Sequence, residues 1–442
     1  MVRYDNIFDF GIYHWKNRRD TMSLKDTQKG DRIQIALFGR RNAGKSSIIN
    51  ALTGQDVAIV SPVKGTTTDP VSKAMELLPL GPCMFIDTPG LDDEGELGQK
   101  RVQKAVEVLN RTDIALLVVD ISGLSQEDLD SVCGLGQEES GILDSIKERH
   151  IPCIIVLNQA DKLSAERVGQ IRTLIADKNK DTPVRIVSSV QKTGLDELKD
   201  TLASQAPDTD NQLHIIDDLV EERDIVVLVV PVDSAAPKGR LIMPQQQVIR
   251  DLLDQQAISV VTQVPALAMT LDLLRGRVRM VITDSQAFGE VSAIVPEDIP
   301  LTSFSILFAR HKGNLKKMVE GVTQVEQLRD GDRILIAEGC THRRQCDDIG
   351  TVKIPHWLKE YTGKSLKIET CSGVGYPADL SGYRMVIHCG GCTLTEREMK
   401  NRIYRAGEQD VPIVNYGIFI AYVKGILKRS VELFPEVYDL LG

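Results

Sequence analysis

The run Gly39-Arg-Arg-Asn-Ala-Gly-Lys-Ser46 constrains this chain more than any other feature. A string of the form G-x-x-x-x-G-K-[ST] builds a phosphate loop only when a strand enters it and a helix leaves it. Both flanks comply: Ile33–Phe38 is a largely apolar run of strand length, and Ser47-Ile-Ile-Asn-Ala-Leu52 has apolar residues at helical spacing. Gly39 and Gly44 allow backbone N–H groups to turn inward, with Asn42, Ala43 and Ser47 completing the cradle, and the helix N-terminus adds partial positive charge. Lys45 is placed to reach the β- and γ-phosphates and Ser46 to ligate Mg²⁺.

The motifs downstream choose the nucleotide. Asp87-Thr-Pro-Gly90 follows the apolar run Met84–Ile86, as expected for a carboxylate that holds Mg²⁺ through water and a glycine that senses the γ-phosphate. Gly65-Thr-Thr-Thr-Asp69 lies between the two, where a first switch would supply a threonine to the metal; Thr67 is favoured, then Thr66. Asn158-Gln-Ala-Asp161 closes the run Ile151–Leu157 and resembles the N-K-x-D element of GTPases, whose carboxylate pairs with the guanine N1–H and 2-amino group. Adenine lacks both donors, so Asp161 selects GTP and GDP. Gln159 replaces the usual lysine, whose stem covers the base. Ser188 and Ser189 open Ser188-Ser-Val-Gln-Lys-Thr-Gly194, where that family's S-A-K loop would fall. The pattern resembles the translation-factor-related branch that contains tRNA-modifying and Era-like GTPases. Leu91 stands where Ras-like proteins carry a water-orienting glutamine, which implies slow intrinsic hydrolysis, and Asn42 matches the asparagine that helps potassium-activated members bind K⁺.

With 442 residues and roughly 150 per domain, about three domains are expected. Alternating strand and helix patterns predict an α/β chain: a GTPase domain with a mostly parallel sheet over 30–204, a structural or oligomerising α/β domain over 213–302 and a third α/β domain over 303–442. Residues 1–29 read as an extension, and Met22 resembles a natural start that would leave 1–21 dispensable. Gln205–Gln212 reads as a linker. Expected strands in the later blocks are Val226–Val230, Ser259–Val264, Arg279–Ile282, Ser305–Phe308, Arg333–Ala337, Leu366–Ile368, Arg384–Ile387 and Val411–Val414, with no internal repeat. A net charge of −9 disfavours bulk nucleic-acid binding. No apolar run approaches the roughly 20 residues of a membrane span, and a cytoplasmic location is expected.

Five of the eight cysteines, Cys340, Cys346, Cys371, Cys389 and Cys392, crowd the last quarter. Cys340-Thr-His342 follows one expected strand and His388-Cys-Gly-Gly-Cys392 another, so both sets fall where open α/β sheets place their binding crevices. Three thiols suit an iron–sulfur cluster with one exchangeable position, whereas two thiols and two imidazoles suit tetrahedral zinc. Spacing leaves both open. Cys346 and Cys371 read as spare thiols, and packing accounts for Cys83, Cys133 and Cys153.

The phosphate loop followed by Cys-x-His and His-Cys-x-x-Cys resembles the FeFe-hydrogenase maturation GTPases over residues 30–435. The resemblance implies a 4Fe-4S cluster held by Cys340, Cys389 and Cys392, with the fourth iron site held weakly by His342, His388 or Asp347. It also implies that 213–302 is a dimerisation domain and 303–442 an iron–sulfur cluster-binding domain, in a homodimer or higher oligomer. Such a scaffold receives a diiron precursor from the radical-SAM maturases HydE and HydG and delivers it to apo-FeFe-hydrogenase. Arg343, Arg344 and Lys353 could hold the anionic cargo. Two other readings compete with this one: an RNA-modification or ribosome-assembly GTPase with a zinc-binding tail, and a redox enzyme in which GTP is regulatory. The acidic balance argues against the first, and the second lacks a flavin or dinucleotide fingerprint.

Overall fold

Among the described residues most of the expected apolar runs form strands. A computed structural model describes residues 32–53, 70–90, 104–105, 107–206, 215–231, 241–339 and 348–442. The first sheet contains β1 (Ile33–Phe38), β2 (Val71–Leu77), β3 (Gly81–Asp87), β4 (Ile114–Asp120), β5 (Cys153–Asn158) and β6 (Val184–Ile186) in the order β2-β3-β1-β4-β5-β6. All its pairings are parallel except β2 with β3. Helices cover both faces, and the central strands β1, β4 and β5 are buried almost throughout, as a doubly covered sheet requires.

The second sheet is β10-β9-β7-β8, built from β7 (Ile225–Val229), β8 (Ile258–Thr262), β9 (Val278–Thr283) and β10 (Leu301–Ser303). The third is β12-β11-β13-β14, built from β11 (Arg333–Glu338), β12 (Lys367–Ser372), β13 (Met385–His388) and β14 (Ile413–Asn415). Both are wholly parallel. One continuous hydrophobic core runs through both, from Ile215 to Val437. Among the described residues no helix is long and apolar enough to cross a membrane.

The two smaller sheets are the same unit twice, which corrects the expectation of no repeat. In each, the second strand adds on one side of the first and the third on the other. Arg279-Met-Val-Ile282 recurs as Arg384-Met-Val-Ile387, and Pro300, Ile306, Ala309, Lys312, Gly313 and Leu315 recur 112 residues later as Pro412, Ile418, Ala421, Lys424, Gly425 and Leu427. The hydrogen bonds repeat as well. Asp224 accepts from the Glu221 amide (2.9 Å) and Asp332 from that of Arg329 (2.8 Å). The Val281 amide reaches the Pro300 carbonyl (2.9 Å), and that of Val386 reaches Pro412 (2.8 Å). Ser303 caps one following helix through the Ile306 amide and Asn415 the other through that of Ile418. The repeat is hard to read in sequence because the connections between its strands have diverged.

Ser305–Phe308, expected as a strand, lies in the helix Phe304–Lys312, which the Ser303 cap starts just after β10. Its apolar residues continue without a turn signal from the short strand, so length alone could not separate the two. Residues 1–31, with the extension and Met22, and most of the expected linker fall outside the described residues.

Candidate nucleotide and metal sites

The phosphate loop joins β1 to the helix Lys45–Thr53. Gly39 and Gly44 have φ of 144° and 92°, and Asn42 is also left-handed at 62°. A Cβ on Gly39 would stand 2.2 Å from the Val118 carbonyl oxygen, and one on Gly44 2.2 Å from Nδ2 of Asn158. Only glycine fits at either position. Lys45 is buried, its Nζ donating to the carbonyls of Gly39 (2.9 Å) and Arg40 (2.8 Å). Ser46 Oγ donates to Oδ2 of Asp87 at the end of β3. Burial raises the Asp87 pKa, opposed by the Ser46 hydrogen bond and the Lys45 charge, and its Oδ1 is buried without a hydrogen-bond partner. A buried carboxylate oxygen beside a serine hydroxyl suits a hydrated Mg²⁺, which favours oxygen ligands. Gly90 sits against the loop, where a Cβ would come within 2.8 Å of Arg41. Thr66, Thr67, the rest of the first switch and Leu91 lie outside the described residues.

The guanine motif is tied to the same loop. Asn158 is fully buried; its Nδ2 donates to the Ala43 carbonyl (2.8 Å) and its Oδ1 accepts from the Ser189 amide (3.3 Å). Gln159, left-handed at φ 63°, donates from Nε2 to the Asn42 carbonyl (3.0 Å), so the residue that departs from the usual lysine braces the phosphate loop. Asp161 is exposed and accepts from Ser188 Oγ (2.6 Å), which in turn accepts from the Gln191 amide (3.0 Å). The loop Ser188–Thr193, closed by a backbone bridge, therefore orients the Asp161 carboxylate. Ser47 follows Ser46 in the helix that the loop opens.

The cysteine motif lies at the C-terminal end of the third sheet. Because β12 and β13 lie on opposite sides of β11, the chain's direction switches between β11 and β13, where such sheets open a binding crevice. The Cys340–His342 segment leaves β11 and the Cys389–Cys392 segment leaves β13, so the two sets of expected ligands follow adjacent strands. Cys389 Sγ accepts from the amides of Gly339 (3.0 Å) and Gly391 (3.4 Å), and burial pushes its thiol up to about 11. Cys392 closes the same short loop, in which Gly391 takes a left-handed φ of 64°. Amide hydrogen bonds to sulfur stabilise a metal-bound thiolate, so this donor set fits a thiolate-held centre. Among the described residues no three His, Cys, Asp or Glu side chains gather to hold a metal ion; Cys340, His342, Arg343, Arg344, Cys346 and Asp347 lie outside them.

His388 is fully buried at the end of β13. Its Nδ1 donates to the Cys389 carbonyl (2.7 Å), and its Nε2 accepts from Nη1 of Arg402 (3.0 Å). Burial, then the Arg402 charge, holds its pKa down at about 3. Lys353 Nζ donates to Oε1 of Gln286 (2.6 Å). Cys371, on β12 beside β11, is half-buried with a raised thiol pKa, while Cys83 and Cys153 are core residues. The sequence reading missed Arg402. It stands among Met399, Ile403 and Ala406 on the buried stripe of the helix Glu396–Glu408, and a charge on an apolar stripe was the available signal.

Residues 34–159 match the family model described as 50S ribosome-binding GTPase, 215–313 the Hydrogen maturase F dimerization domain, and 316–433 the Hydrogen maturase F tetramerization domain. The chain is 29% identical to GTPase Der of Kosmotoga olearia over 41% of its own length and 40% of that protein. It is 34% identical to GTPase Era of Caldicellulosiruptor saccharolyticus over 33% of this chain and 45% of that one. It is 32% identical to tRNA modification GTPase MnmE of Lachnoclostridium phytofermentans over 38% of this chain and 33% of that one. The chain thus spans less than half the length of each of these relatives. That likeness accounts for the first domain, a P-loop GTPase domain. The duplicated units behind it match the two domain models specific to hydrogen maturase F, and the chain belongs to that family.

Proposed function

We propose that this chain is a GTP-hydrolysing scaffold that carries a 4Fe-4S cluster and passes a diiron precursor to apo-FeFe-hydrogenase. GTP and Mg²⁺ would be held by the phosphate loop, Ser46 and Asp87, with Thr67 or Thr66 closing over the metal, Asn42 serving K⁺, and Asp161 reading the base. Cys340, Cys389 and Cys392 would hold the cluster, leaving one iron open to His342, His388, Asp347 or cargo. When bound, the cluster supplies that exchangeable iron position. The chain's own contribution is the pair of amides, Gly339 and Gly391, aimed at Cys389 sulfur. The observation that carries the reading is the switch point between β11 and β13, the adjacent parallel strands that the two cysteine segments follow in the sequence. The maturases HydE and HydG are the expected donors, the site of action the cytoplasm, and the working form a homodimer or larger.

The test is anaerobic iron and zinc analysis with EPR of the reduced protein, comparing wild type with Cys389→Ser. Wild type should carry about four irons per chain and a reduced-cluster signal, which the variant loses. One zinc per chain and no signal would replace this reading with that of a zinc-tailed GTPase.

A further inference from the structure

The duplication supplies a control for the metal site, because the first copy has no cysteine motif. Superposing the copies by their shared Arg-Met-Val-Ile puts Thr283 opposite His388, Asp284 opposite Cys389, and Gln286 opposite Gly391. The first copy makes the same turn with different chemistry. Thr283 Oγ1 donates to the Asp284 carbonyl (3.3 Å), as His388 Nδ1 donates to the Cys389 carbonyl (2.7 Å). Asp284 Oδ1 accepts from the Gln286 amide (3.3 Å), as Cys389 Sγ accepts from the Gly391 amide (3.4 Å). Thr283 and His388 are both fully buried. The position before the turn therefore has a task that needs no metal: it donates one hydrogen bond to the carbonyl of the next residue.

Resting on the cluster reading above, we propose that His388 is a positioning residue for the Cys389–Cys392 loop and not a ligand of the fourth iron. An imidazole can ligate iron only through an unprotonated nitrogen. Nδ1 carries the proton given to the Cys389 carbonyl, and the Nε2 lone pair is taken by Arg402. Arg402 is itself fixed, its Nη2 donating to the Gly373 carbonyl (2.7 Å) and to Glu398 Oε1 (2.8 Å). Turning the ring toward the cluster would break both histidine bonds and leave a buried guanidinium nitrogen unmatched. Arg402 thereby selects the tautomer, the tautomer holds the carbonyl, and the carbonyl sets the turn that presents the two sulfurs. The exchangeable iron position is then left to a group other than His388.

The first copy also prescribes the test: His388→Thr installs the donor that Thr283 provides. Iron affinity by chelator competition should fall about 10- to 100-fold in His388→Ala, as for other groups that orient metal ligands, and return most of the way in His388→Thr. The reduced-cluster EPR spectrum and its ¹⁴N couplings should be identical in wild type and His388→Thr. Loss of a ¹⁴N coupling in the threonine variant, or wild-type iron affinity in the alanine variant, overturns the proposal; if alanine prevents folding, the threonine variant decides. If wild type takes up no iron, the cluster reading fails separately, and ¹⁵N-histidine NMR of the metal-free protein decides this one. A hydrogen-bonded Nδ1–H tautomer at His388 supports it, and an Nε2–H tautomer overturns it.

Discussion

At the scale of single residues, the nucleotide site depends on close approach. Gly44 brings the phosphate loop so near to Asn158 that the amide can bond the Ala43 carbonyl, which ties the loop to the Asn158–Asp161 motif. Gly44→Ala asks an L-residue to adopt φ 92° and puts a methyl 2.2 Å from the Asn158 amide nitrogen. Left-handed strain alone costs about 1–3 kcal/mol. Displacing the asparagine adds to it, so affinity for a fluorescent GDP analogue should fall at least about tenfold. Affinity within a factor of about two of wild type would mean that the loop relaxes and the two motifs act independently.

At the scale of elements, the two copies differ at the matching edge strands β8 and β12. β8 is the edge of its sheet and exposes Ile258 and Val261, while the nearby helix Leu267–Leu274 exposes Met269 and Leu273. The matching edge, β12, exposes Lys367 and Glu369, and Glu369 pairs with Arg333. Charge protects an edge strand from pairing and an apolar surface invites it, so β8 is the expected self-association edge, within the region that matches the dimerization model. Val261→Lys combined with Leu273→Lys should shift the sedimenting species toward 48.9 kDa, the mass of one chain, and an unchanged oligomer would place the contact elsewhere. Most of this organisation was legible beforehand, because Ile33–Phe38, Ile114–Val119 and Ile225–Val229 are nearly pure apolar runs that only a covered parallel sheet explains. β2 was not, since Val71-Ser-Lys-Ala-Met-Glu-Leu77 is an edge strand whose pattern is half polar. The guanine and phosphate motifs could be read because their chemistry demands fixed residue types. The roles of Gln159 and Arg402 could not, because each is defined by a partner distant in sequence: Asn42 for one, His388 for the other.

At the scale of the whole molecule, the nucleotide domain and the cysteine unit meet at the sheet end opposite the phosphate loop. The helix Glu396–Glu408 begins four residues after Cys392, and Arg397 Nη2 donates to the carbonyls of Arg149 (2.9 Å) and His150 (3.3 Å), just before β5. Asp113, just before β4, faces the same arginine and accepts from the Gln34 amide of β1 (2.8 Å). Burial raises the Asp113 pKa to about 6, against the pull of the Gln34 amide and Arg397. The folded state thus holds this proton more tightly than the unfolded chain, whose aspartates titrate near 4. The carboxylate costs stability above pH 6, and that cost shrinks as the pH falls toward 4. Between pH 7 and pH 5 the relief amounts to about 1 kcal/mol. Urea unfolding of wild type and Asp113→Asn should therefore show the variant's advantage at pH 7 shrinking by about that amount at pH 5. A gap independent of pH would mean that water reaches Asp113, and that the two bodies do not close over it in solution.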